Sequence, residues 1–173
     1  PVTVLATKTE EKAVDSLSAV TVLPESQIQQ IAPRRVEDLF ALLPGVWTQE
    51  RADSPESSIN IRGLQDFGRV AVVVDGARQN FQRSGHNANG TFLVDPELLS
   101  SVDIVRGPIA NVYGSGAIGG VASFTTKDVD NILRPGEQWG GQVHGLVGTN
   151  PGHPVASAFG AIRITPNIEA IVG

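Results

Sequence analysis

Three histidines, His86, His144 and His153, are the side chains in this chain that titrate near neutral pH and can ligate a metal. No two of them share a metal-ligand spacing, and there is no cysteine to complete a thiolate site or act as a nucleophile. His86 differs in kind from the other two. It lies between Gly85 and Asn87 in the middle of the polar stretch 79–91, on no apolar face. A neutral imidazole flanked by small and polar residues can project as an axial ligand for haem iron. It can equally be an ordinary solvent-facing loop histidine, and local sequence alone leaves both readings open. His144 and His153 fall in or beside alternating stretches, where a plain strand position is the simpler reading.

Other motifs carry less chemistry. Gly114-Ser115-Gly116-Ala117-Ile118-Gly119 fits the dinucleotide pattern, but that pattern should follow a strand and open a helix. Here a short helical stretch, 109–112, precedes it and a β-branched strand follows, so a tight bend with close backbone packing is expected. No Gly-x-Ser-x-Gly elbow is present, and Asn89-Gly90-Thr91 is a glycosylation triplet only in a eukaryotic secretory setting. Enzyme is the weakest class, and no catalytic cofactor is expected. Arg62, Arg69, Asp75, Asp103 and Arg106 flank predicted strands; enclosed, they would need partners, because unpaired buried charge is costly.

The elements that must position these residues follow from composition and pattern. The chain has 173 residues, 40% hydrophobic and 18% charged, with 19 Gly and 11 Pro. That favours a turn-rich fold over long helices. A net charge of −5, with Arg34-Arg35 as the densest basic pair, excludes a nucleic-acid partner of the basic-stripe kind. The longest uncharged stretch, 109–126, is too rich in glycine for a spanning helix.

Residues 1–12 read as an extended arm. A strand is expected at 19–23, then a short helix opened by Pro24. Val36, Leu39, Phe40 and Leu43 stand at i, i+3, i+4 and i+7, which predicts a second helix stopped by Pro44-Gly45. Strands are expected at 46–50, 58–62, 69–75, 102–105 and 120–126, with one helical turn at 96–99. The long polar loop 79–91 is of a length that in compact domains is often functional. Beyond Lys127 three alternating stretches, 141–148, 155–165 and 168–172, are separated by turn residues. Segments of about ten residues in that pattern suit antiparallel strands of an outer-membrane barrel. Three cannot close one, so the chain is expected to be part of something larger.

Three ordered segments together resemble the plug domain of TonB-dependent outer-membrane receptors. Ile59-Asn60-Ile61-Arg62-Gly63-Leu64 with Arg69 through Val74-Asp75-Gly76 is similar to that family's central block. Val102-Asp103-Ile104-Val105-Arg106-Gly107-Pro108, with Tyr113-Gly114-Ser115-Gly116-Ala117-Ile118-Gly119-Gly120-Val121, is similar to its second. Leu42-Leu43-Pro44-Gly45-Val46 and the helix before it resemble a third. The resemblance covers residues 2–127. It implies a mixed α/β fold, a small mixed β-sheet with short helices and long loops, followed by the first antiparallel strands of a transmembrane β-barrel. The implied division is an arm at 1–12, the plug at 13–133 and barrel strands at 134–173. A complete barrel of this kind has about twenty-two strands.

The resemblance also implies partners. Val2, Thr3, Val4, Leu5 and Ala6 resemble the energy-coupling box that pairs with TonB and its inner-membrane energising complex, which fits strand addition to a sheet edge. Gly85-His86, followed by Asn89-Gly90-Thr91-Phe92 and Asp95-Pro96, is similar to the plug loop of haem and haemoglobin receptors. His86 is then the plug's axial ligand to haem iron, haem being the transported ligand, delivered free or by a haem-carrying protein. The expected setting is the bacterial outer membrane, with the plug inside the barrel and the arm facing the periplasm. The alternatives are a ferric-siderophore receptor of the same family, in which His86 is incidental, and a free-standing periplasmic binding or adhesion module.

Overall fold

The computed structural model describes residues 2–3, 11–12, 19–48, 55–65, 68–80, 91–108, 115–147 and 154–173. They fall into two compact units, residues 1–125 and 126–173. The boundary expected from sequence, after 133, lies further on, because the short helix at 129–132 packs on strands of the second unit.

In the first unit, strands β1 (Val2–Thr3) and β2 (Glu11–Lys12) form a two-residue antiparallel ribbon. β3 (Ala19–Pro24) leads into helix α1 (Glu25–Ile31), with Pro24 as the extended residue before its first turn. A 3-10 turn at Val36–Leu39 precedes β4 (Val46–Thr48), which pairs antiparallel with β5 (Ile59–Ile61). β6 (Val70–Val74) and β7 (Ala77–Arg78) make a hairpin, and a second 3-10 turn, Pro96–Leu98, opens β8 (Leu99–Arg106). β9 (Gly120–Thr126) completes a five-stranded sheet of order β3-β8-β9-β6-β7. The β6–β9 pair is parallel and the β3–β8 pair antiparallel, so the sheet is mixed, as expected.

The apolar run of β6 is continuous because both faces of the sheet are covered. On one face Val72, Ile104, Ala122 and Phe124 pack with Leu39, Phe40, Ile61, Phe92 and Leu99. On the other, Ala71, Val73, Val105 and Val121 pack with Ala117. Each Val, Leu, Ile or Phe side chain buried in this way contributes roughly 1.5–3 kcal/mol, and each alanine less. The predicted helix at 36–43 is shorter and tighter than its apolar spacing suggests. The Asp38 carboxylate accepts from the backbone of Arg34 (2.8 Å) and Arg35 (3.0 Å), and Leu43 N donates to Phe40 O at i−3. Val36, Leu39 and Phe40 still face the core, so the hydrophobic face is right and the helix type is not.

In the second unit, α2 (Val129–Ile132) is followed by an antiparallel meander of β10 (Trp139–Leu146), β11 (Val155–Thr165) and β12 (Ile168–Val172). Register divides its residues cleanly. Trp139, Val143, Ala158, Ile162, Ala170 and Val172 share one face; Gln142, His144, Ser157, Phe159, Arg163 and Glu169 share the other. The second face is the one α2 covers. Val129 and Leu133 pack on Ala161, Lys127 Nζ lies 4.7 Å from the Phe159 ring centre, and Arg163 donates to Asp130 and to Glu169.

Candidate functional site

The polar segment that carries His86 leaves the sheet from β7. Asp75 (φ 47°) and Gly76 (φ 79°) form the two-residue turn before it, both in the left-handed region that this hairpin type demands. Gln79 N then donates to Val72 O at 2.8 Å, extending the hairpin by a bond. His86 and the rest of 81–90 lie outside the described residues, as does His153.

The segment returns at Phe92, which exchanges two backbone hydrogen bonds with Ser57, 3.0 Å each way. The Phe92 ring sits 5.2 Å from that of Phe124, which meets Phe40 edge-on at 6.2 Å. Ser57 Oγ donates to Glu37 Oε1, and Arg35 Nε stands 3.4 Å from Glu37 Oε2. Glu37 is only 3% exposed, so these donors replace the water its carboxylate has lost. A hollow of about 340 Å³, lined by Arg34, Arg35, Glu37, Ser57, Leu93 and Asp95, opens over this contact. Neither Glu37 nor Ser57 stands out in the sequence. They are twenty positions apart, and no local pattern marks the pair.

The strand-end charges resolve differently from one another. Arg106 donates from Nε to Pro44 O (3.1 Å) and from Nη1 to Thr21 Oγ1 (2.8 Å). Burial, then the nearby Arg62 charge, lowers its pKa. Asp103 is buried in the middle of β8, and its Oδ1 has no hydrogen-bond partner among the described residues. Burial raises its pKa to about 6. The glycine pattern at 114–119 does packing work, as its sequence context indicates. A Cβ on Gly116 would stand 2.8 Å from Gly68 Cα, one on Gly119 would stand 2.9 Å from Leu64 Cβ, and β9 follows where a nucleotide site needs a helix.

Of the arm, Val2 and Thr3 lie in β1, paired with Lys12 and Glu11; Val4, Leu5 and Ala6 lie outside the described residues. His144 pairs with Ser157 across β10 and β11. Among the described residues no three His, Asp or Glu side chains converge to hold a metal ion, and no helix is long and apolar enough to cross a membrane. The latter leaves strands untouched. One face of the β10–β12 meander is apolar or glycine, and the other mixes polar residues with Phe159, Ala161 and Ile171; an apolar outer face suits strands between lipid and a lumen.

A family model described as TonB-dependent Receptor Plug Domain matches residues 12–121. The chain belongs to this family. The plug match takes in every strand of the five-stranded sheet, β9 through Val121, and all three sequence segments that resemble the family. A hemin receptor of Yersinia enterocolitica is 36% identical over 169 residues, 98% of this chain and 24% of that receptor. The chain therefore spans about a quarter of the length of that relative. The hemophore receptor HasR of Serratia marcescens, solved as a double mutant with its hemophore HasA and heme, is similar at 37% identity. The TM-score is 0.79, over 88% of this chain and 23% of HasR. The FrpB iron transporter of Neisseria meningitidis shares the plug fold at 19% identity and a TM-score of 0.69, over 88% of this chain and 22% of that one.

Proposed function

We propose that this chain is the plug, with the first barrel strands, of an outer-membrane receptor that imports haem. The observation that carries the reading is the likeness over nearly the whole chain to a hemin receptor, at 36% identity. The likeness to HasR, solved with heme bound, supports it further. In this reading His86, in the polar stretch of sequence between β7 and Phe92, is the plug's axial ligand. A second imidazole comes from a barrel loop outside this chain.

Haem docks on the extracellular side of the plug. TonB, driven by its inner-membrane complex, takes hold of Val2, Thr3, Val4, Leu5 and Ala6 on the periplasmic side by strand addition. Because Val2 and Thr3 are already paired in β1, the partner strand must displace that ribbon or extend it. Traction on the arm then remodels the plug and opens a path for haem. Apart from the axial iron–imidazole bonds, which form on docking and break on release, haem is unchanged, so the protein acts as a transporter and not as an enzyme. A haem-carrying protein is a fitting donor, by analogy with the hemophore bound to HasR.

The test is a haem titration of the full-length receptor, read at the Soret band, beside His86→Ala. A six-coordinate spectrum that becomes five-coordinate or weak in the variant supports the reading. An unchanged variant moves the ligand elsewhere, and no Soret shift in either protein turns the reading to a ferric siderophore.

A further inference from the structure

Glu37 is a buried carboxylate for which the transport reading has no use, and its contacts lead to the loop that carries His86. We propose that Glu37 is a positioning residue for that loop, acting through Ser57 to set where the segment 81–90 rejoins the domain. This inference rests on the haem reading given above.

The argument runs along a short chain of contacts. The 3-10 turn that carries Glu37 is held by Asp38, which accepts from the backbone of Arg34 and Arg35. Arg35 Nε and Ser57 Oγ are the donors that reach the Glu37 carboxylate. A carboxylate at 3% exposure cannot exchange such a hydroxyl for water at low cost, so Ser57 is held in place relative to the turn. Ser57 spends both its backbone N–H and its C=O on Phe92, so the place of Phe92 follows from that of Ser57. Phe92 is in turn seated against Phe124 of β9. His86 precedes Phe92 by six residues, and a ligand on a loop keeps its geometry only when the loop's ends are fixed.

The test compares wild-type full-length receptor with Ser57→Ala and Glu37→Gln. Haem affinity and Soret coordination are read together with hydrogen exchange at the Ser57 and Phe92 amides. Ser57→Ala is expected to weaken haem binding by at most about tenfold, the upper bound set by the worth of one such hydrogen bond. Its spectrum should become mixed five- and six-coordinate and exchange at Phe92 faster, while the amides of β8 keep their protection. Glu37→Gln still offers an acceptor to Ser57 and is expected to stay near wild type in coordination. Wild-type affinity and spectrum in Ser57→Ala overturn the inference. So does loss of β8 protection in step with haem affinity, which would make the contact one of general stability. A wild-type receptor with no Soret band fails the haem reading itself, and is told apart because His86→Ala then changes nothing either.

Discussion

Val22 and Asp103 stand opposite one another in the β3–β8 pair, which sets an aliphatic side chain beside a carboxylate only 7% exposed. Such a neighbour offers no donor, and Asp103 Oδ1 has none elsewhere among the described residues. The sheet thus carries a group that is easier to bury protonated than charged.

Stability should therefore fall as pH rises. The folded-state pKa of Asp103, about 6, lies above the ordinary 3.8. The folded form binds the proton more tightly, so stability is lost between about pH 4 and pH 6 and stays low above that. Asp103→Asn should lose this slope and unfold with about 1–2 kcal/mol more stability at pH 7.5, a buried amide keeping part of the desolvation cost. Urea unfolding at pH 4 and pH 7.5 checks it; equal slopes in both proteins would remove Asp103 as the cause.

Gly120 begins β9 at a φ of 142°, and a Cβ there would overlap the carbonyl oxygen of Val105. Backbone cannot yield as a side-chain tip does. Gly120→Ala should cost about 2–4 kcal/mol and loosen the β8–β9 junction. Gly63→Ala, with open space around it, should cost less, the left-handed backbone (φ 85°) being its main penalty. Thermal unfolding of the two variants side by side decides the ranking.

Phe124 touches both Phe40 and Phe92 and is wholly buried. Phe124→Ala should cost about 3–5 kcal/mol, through lost burial and the cavity left behind. Because Phe92 closes the polar loop, exchange at the Ser57 and Phe92 amides should rise as well. A stability loss with unchanged exchange there would separate the core from the loop.

Val143 and His144 are neighbours in β10 whose side chains lie on opposite faces of the meander. If the Val143 face meets lipid, Val143→Arg should oppose membrane assembly by about 2–4 kcal/mol near the midplane. His144→Gln, on the polar face, should leave assembly unchanged. The amount of heat-modifiable receptor in the outer-membrane fraction reads both.

What the sequence determined was local. Alternation and turn residues are properties of neighbours in the chain, so β3, β6, β9 and the meander were legible. The spacing of Val36, Leu39, Phe40 and Leu43 told which side faces the core. It could not tell that the Asp38 side chain would cap the segment as a 3-10 turn. β7 and α2 were missed, being two and four residues long, too short for a period to show. His86 was singled out for the residues around it; Ser57, whose backbone bonds to Phe92 six positions after it, was left unremarked.

Only the tertiary structure decided what lies beside what. It brought Glu37 under Ser57, tied Ser57 to Phe92, set Asp103 in an apolar sheet with one oxygen unanswered, and passed the Arg106 guanidinium to Thr21, 85 positions away. The physical reason is that such partnerships depend on strand order and register. Those are settled by how two apolar faces of one sheet are buried together, and no stretch of neighbouring residues encodes them alone.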